Sequence, residues 1–184
     1  KLRARVGAST WNGPVTLTAN STIESRGAAG VGVTLTNTVD LGGSNLALEA
    51  LVGSVGMTFN GVVSGTGILN KNGPATAVLN GNNTHTGGVN INAGRLDLTG
   101  TNASSVSVAA AGTLGGEGST TGSVTFASGS KFAFNPNTGA VFTAAGVSAS
   151  AGPVTVVSTS TPPNATGIPV LTATGGITGP LSNF

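Results

Sequence analysis

The chain has 184 residues, 7 basic and 5 acidic side chains, a net charge of +2, 31 glycines and no cysteine. Only 7% of residues are charged and 4% aromatic, while 38% are hydrophobic and mean hydropathy is +0.27. This excludes a disordered chain, which is charged and poor in apolar residues, and any disulfide or cysteine–metal framework. Lys, Glu, Arg and Gln are scarce beside Thr, Val, Asn, Ser and Gly, so strands and turns are expected rather than helices.

In chain order, Lys1, Arg3 and Arg5 open a short basic stretch. It reads as a solvated end and not as a nucleic-acid arm, because no aromatic residues are interleaved with it. A start at Lys1 rather than Met, with no leader pattern, reads as a mature or trimmed fragment. Trp11, the single tryptophan, is expected to cap an open end of the fold or to form an interface. Val15-Thr16-Leu17 alternates apolar and polar residues, and Val33-Thr34-Leu35 repeats the pattern further along. Leu46-Ala47-Leu48, Met57-Thr58-Phe59, Ile68-Leu69 and Val78-Leu79 follow at shorter spacing.

The repeat is cleanest between Val89 and Phe134. Four columns line up there at a nearly constant step: Val89/Val106/Val124, Ile91/Val108/Phe126, Leu96/Leu114/Phe132 and Leu98/Gly116/Phe134. Gly94, Gly112 and Gly129 mark the turns between strands, and Asn80, Asn82 and Asn83 suit turns, left-handed backbone and side-chain ladders. Pro-rich 159–169 breaks the pattern as a loop, and 170–184 reads as a final coil or the start of a C-terminal segment. No stretch approaches the ~18 apolar residues of a membrane span.

Short alternating strands at this period predict an all-β fold, a right-handed single-stranded parallel β-helix with about 18–20 residues per coil over 1–158. One coil cannot close a core alone. Stacking the next about 4.8 Å away pairs each strand in parallel and turns the inward positions into apolar ladders, about nine coils and on the order of 45 Å in all. An antiparallel sandwich also shows short, regularly spaced strands, but it wants central aromatics that this chain lacks.

The segment 63–98, VSGTGILNKNGPATAVLNGNNTHTGGVNINAGRLDL, adds a resemblance. Ser64, Gly65, Gly67, Leu69, Lys71, Gly73, Leu79, Gly81, Asn83, Thr84, Thr86, Gly87, Gly88, Asn92, Ala93, Gly94 and Leu96 match the passenger-associated transport repeat of bacterial autotransporter passengers. Two departures are 74–77, Pro-Ala-Thr-Ala in place of the family's Gly-x-Gly-Thr, and His85 where the family usually has Tyr. The resemblance implies a right-handed β-helix, export to the bacterial cell surface, and a structural or adhesive role without catalysis.

Parallel β-helices also host polysaccharide lyases and hydrolases, which need clustered carboxylates and a basic residue. Glu24, Asp40, Glu49, Asp97 and Glu117 are instead dispersed, with no adjacent acidic pair. Arg95 and Asp97 share one outward strand face, and Lys71 and Glu117 are expected within a coil or two of them, as a surface contact patch. His85, the sole histidine, has no second His, Cys or adjacent acid, and the resemblance to the repeat implies an exposed turn side chain there. Gly65-Thr66-Gly67 and Gly116-Glu117-Gly118 lack the Lys-Ser/Thr and the helix of a phosphate loop. No catalytic, metal or cofactor residues are therefore assigned. The expected function is a surface β-solenoid, structural or adhesive. Its partners would be a second copy stacked end to end, other surface proteins or glycans, with no nucleic acid and no membrane insertion. The rival readings are a polysaccharide-acting enzyme and a glycan-binding module.

Overall fold

Alternating apolar and polar residues give short strands, and every strand pairing among the described residues is parallel. The computed structural model describes residues 1–5, 7–26, 30–150, 152–161 and 169–179. Most of the Pro-rich loop (162–168) and the tail at 180–184 lie outside them.

The strands form three sheets. The first stacks Leu2–Ala4, Ser21–Ser25, Leu46–Ala50, Leu69–Asn72, Val89–Ile91, Val106–Val108, Ser119–Phe126, Phe142–Ala149 and Leu171–Ala173 in that order. The second stacks Ala8–Trp11, Gly32–Leu35, Gly56–Phe59, Thr76–Leu79, Gly94–Leu98, Gly112–Gly115, Lys131–Phe134 and Thr155–Ser158. The third holds Val15–Thr16, Val39–Asp40 and Val63–Ser64. Along most of the chain, consecutive strands belong to different sheets, and each pairs with its counterpart one coil away. The fold is a parallel β-helix.

Three of the columns read from the sequence are in register. Val89, Val106 and Val124 stack, as do Ile91, Val108 and Phe126 in the first sheet, and Leu96, Leu114 and Phe132 in the second. All nine side chains are at most 2% exposed. Phe132 meets Phe126 and Phe142 edge to face, with ring centroids 6.3 and 5.9 Å apart, so this part of the core is aromatic.

Three expectations are corrected. Val15 and Val33 do not stack: Val15 pairs with Val39 in the third sheet, while Val33 pairs with Ser9 and Met57 in the second. The early coils are longer than the expected period, as the step from Gly32 to its partner Gly56 shows. The step then shortens progressively, from Met57 to Ala77, from Ala77 to Leu96 and from Leu96 to Leu114, and lengthens again from Phe132 to Val156. Secondly, the Leu98/Gly116/Phe134 column does not form. Leu98 pairs with Leu79, and the next ladder stops at Gly115; Gly116, with a φ of 98°, lies against the Leu98 backbone without pairing to it. Thirdly, no described non-glycine residue has positive φ, so the asparagines do not supply left-handed turns. Several bond between coils instead: Asn80 donates to Asn60 (2.7 Å), Asn90 to Asn70 (3.0 Å), and Asn92 to Asn72 (2.8 Å), which itself donates to Glu49 (2.9 Å).

The hydrogen bonding on the third side changes where the coils shorten. Val39 N–H donates to the Val62 carbonyl in the next coil, but one layer on, Val63 N–H donates to the side-chain Oδ1 of Asn83 at 2.9 Å. Asn83 Nδ2 donates in turn to the Gly81 carbonyl at 3.0 Å. One amide side chain thus replaces a backbone acceptor at this layer, and beyond it the same side of the coil continues through the Asn83–Asn102 bridge to Thr101–Asn102, which pairs with Ser119–Thr120.

Candidate functional site

Arg95 and Asp97 project outward from the second sheet, two residues apart on one face, with Arg95 Nε 2.6 Å from Asp97 Oδ1. The strand above carries Gly115 opposite Asp97, and a Cβ there would come within 3.0 Å of Arg95 Nε and Nη2. The missing side chain lets the ion pair lie flat on the sheet. Glu117 follows at the edge of the same face, its Oε1 accepting a 2.7 Å bond from the Thr138 hydroxyl. Thr138 belongs to a seven-residue connection (135–141) where the preceding coil has three residues (116–118). The longer connection raises a wall. Between wall and ion pair lies a cleft of about 290 Å³ whose lining includes Arg95, Asp97, Thr99, Glu117, Phe134 and Asn135. Arg95, Asp97 and Glu117 thus line one cleft.

Lys71 does not join them. It stands in the inward column between Leu48 and Ile91 and is fully buried. Its ammonium donates to the carbonyls of Asn72 (3.0 Å), Gly73 (2.7 Å) and Ala93 (3.0 Å), tying the corner between the first and second sheets across two coils. Burial lowers its pKa to about 8, against a smaller opposing pull from Glu49. The sequence does contain the signal for this. Leu69 points inward, and the alternation of a strand carries Lys71 to the same side.

His85 is likewise buried, not exposed. Its Nε2 lies 3.2 Å from Ser104 Oγ. Asn102 Nδ2 donates to the Ser104 carbonyl (2.6 Å) and to Thr120 Oγ1 (3.2 Å), and Thr120 Oγ1 donates to the same Ser104 carbonyl (2.6 Å). With Asn83 these residues form an internal polar row on the side where the third sheet has ended, and all are at most 4% exposed. Burial lowers the His85 pKa, partly offset by the Val63 backbone, so the ring is neutral at pH 7. A serine beside a histidine resembles a nucleophile and its base, but a pair sealed inside the stack meets no substrate. The row was not legible from motifs, although Asn83 and Asn102 occupy the same place in successive coils, where they form a parallel bridge.

Trp11 sits at the end of the first strand of the second sheet, 47% exposed. With Leu2, Val15, Leu17, Ile23 and Leu46 it lines an apolar cleft of about 270 Å³ at the open face of the first coil. Lys1 and Arg3 are not simply solvated. With Arg26 they converge on buried Glu24: Arg3 Nε and Arg26 Nε lie 3.1 and 2.6 Å from Oε1, and Lys1 pairs with Oε2. The Lys1 hydrogen bond, opposed by burial and aided by the Arg26 and Arg3 charges, holds the Glu24 carboxyl below the usual range. Among the described residues no group of three or more His, Cys, Asp or Glu is placed to hold a metal ion, and no helix is long and apolar enough to cross a membrane.

Comparison with known proteins agrees with the repeat. Residues 69–98 match the passenger-associated-transport-repeat model. The chain is 40% identical over 82 residues to the Adhesin BmaC autotransporter of Brucella suis biovar 1 (strain 1330), covering 43% of this chain and 2% of that protein. The chain thus spans a small fraction of the length of the curated relative it matches. No solved structure matches it significantly.

Proposed function

We propose that this chain, an autotransporter-passenger segment secreted by or exposed on a bacterium, is a non-catalytic structural and adhesive length of a longer rod. The observation that carries this reading is the parallel stack of nine strands in the first sheet, with one register shift between Thr120 and Ser123, over an apolar core. Around it the outward residues are mostly neutral amides and hydroxyls, several of them bonded to the next coil. Such a surface suits many weak contacts spread along a rod, and the name of the Brucella relative supports adhesion as their purpose. Residues 1–158 are read as one continuous stack, 159–169 as a loop, and 170–184 as a final coil or the start of a C-terminal segment.

The test is display of the chain on a non-adherent bacterium through a neutral carrier. Adherence to host cells should rise several-fold over the carrier alone. Adherence at the carrier's level would remove the adhesive part of the reading.

A second reading, end-to-end stacking, rests on the apolar cleft beside Trp11. A further coil laid on that face would cover Leu2, Val15 and Leu17 and continue the ladders. If a second copy supplies that coil, light scattering should show mass rising with concentration, and Trp11→Ser should abolish the rise. A strictly monomeric wild-type chain refutes self-stacking.

A further inference from the structure

The geometry points to the cleft between the Arg95–Asp97 pair and the 135–141 connection as a binding site for one neutral, hydroxyl-rich sugar unit of a glycan. The inference rests on the adhesive reading and names its contact.

At about 290 Å³ the cleft lies at the lower end of the roughly 300–1,000 Å³ of small-molecule sites, room for a single ring rather than a polymer groove. Its walls present hydrogen-bonding groups of both kinds. Asp97 Oδ2, Glu117 Oε2 and the Asn135 side-chain nitrogen carry no hydrogen bond among the described residues. Their partner atoms, Asp97 Oδ1, Glu117 Oε1 and Asn135 Oδ1, are engaged by Arg95, Thr138 and Ser160, which fix the side chains in place. Held side chains with one polar atom still unused lose little freedom when a ligand binds. Part-buried Phe134 adds an apolar surface for the C–H face of a ring.

Charge and topology narrow the class. Arg95 is neutralised by Asp97, and Glu117 has no cationic partner among the described residues, so the cleft does not favour anionic sugars. The strands beneath it at Gly94–Leu98, Gly112–Gly115 and Lys131–Phe134 are paired on both sides, leaving no edge for an extended peptide to join.

The test uses the whole chain. Methyl glycosides of mannose, galactose, glucose and N-acetylglucosamine, with sialic acid as the anionic contrast, are titrated while amide shifts are followed by NMR. At least one neutral glycoside is expected to saturate, with shifts centred on Arg95–Thr99, Glu117 and Asn135. Affinity should fall at least tenfold in both Glu117→Gln and Asp97→Asn. Thr58→Ala, outward on the same sheet but away from the cleft, should bind as wild type, and thermal melting should show all three folded. Glu117→Gln breaks no ion pair, so it remains informative if Asp97→Asn loosens the sheet. No saturable binding of any neutral glycoside, a preference for sialic acid, or affinity unchanged in Glu117→Gln would each overturn the inference. The displayed chain separates this from the adhesive reading. Adherence without sugar binding defeats the site alone, whereas sugar binding without adherence defeats the adhesive role.

Discussion

Lys71 shows how one side chain serves a corner. Its three carbonyl partners would lose this donor in a dry interior, so Lys71→Met should cost about 1–3 kcal/mol in chemical denaturation. The same residue sets a pH signature. Its pKa is about 8 folded and near 10.5 unfolded, so between those values the unfolded chain holds a proton that the folded one has released. Stability should therefore rise as pH climbs through this window in wild type, and that rise should vanish in Lys71→Met. His85 acts at the other end of the scale. Its folded pKa is depressed by burial, so below about 6.5 the unfolded state takes up a proton that the folded state refuses, and stability falls as pH is lowered. Denaturation midpoints measured from pH 7 to pH 4 should fall less steeply in His85→Gln than in wild type. Both side chains show where reading by residue type fails. Lys and His are usually exposed, but the alternation set by Leu69 governs which way Lys71 points. The sequence around His85 does not disclose its partner, because Ser104 lies a coil away in the chain.

At the scale of the strand and the coil, the period is plainest in the sequence where coils are shortest. Between Met57 and Phe132 the layers are compact and nearly equal in length, and the columns of Val, Ile and Leu line up directly. Before that point the coil is longer, and an apparent repeat joins Val15 to Val33 across two different sheets. Equal spacing locates like residues without revealing which side of the coil they occupy. Asn83 bonds between two of these layers. Asn83→Ala would strip the acceptor from Val63 N–H and the donor from the Gly81 carbonyl. We expect a loss of about 1–3 kcal/mol, with faster hydrogen exchange confined to Val63 and its neighbours. Asn83→Asp keeps the acceptor for Val63 N–H and should retain its protection, which separates the two losses. Among the site residues, Arg95, Asp97 and Glu117 were legible because an outward strand face and a one-coil step place them together. The 135–141 wall was not, since its effect depends on where a longer connection folds.

Over the whole molecule each layer touches only the layers on either side, so protection should track position in the stack. Amide exchange should be slowest between Met57 and Phe126, in the middle of the stack, and faster toward the first and last coils. A flat profile would show one cooperative block instead. The corners behave differently from the layers. The link between first and second sheets takes five residues at 51–55, three at 73–75 and two at 92–93, yet pairing continues unshifted on both sides. Val52, 79% exposed on the longest of these, lies clear of the core. A foreign epitope spliced between Val52 and Gly53 should therefore be presented to antibody on intact cells while costing about 1 kcal/mol or less. A corner of this kind can change in length and sequence while the ladders on either side keep their register.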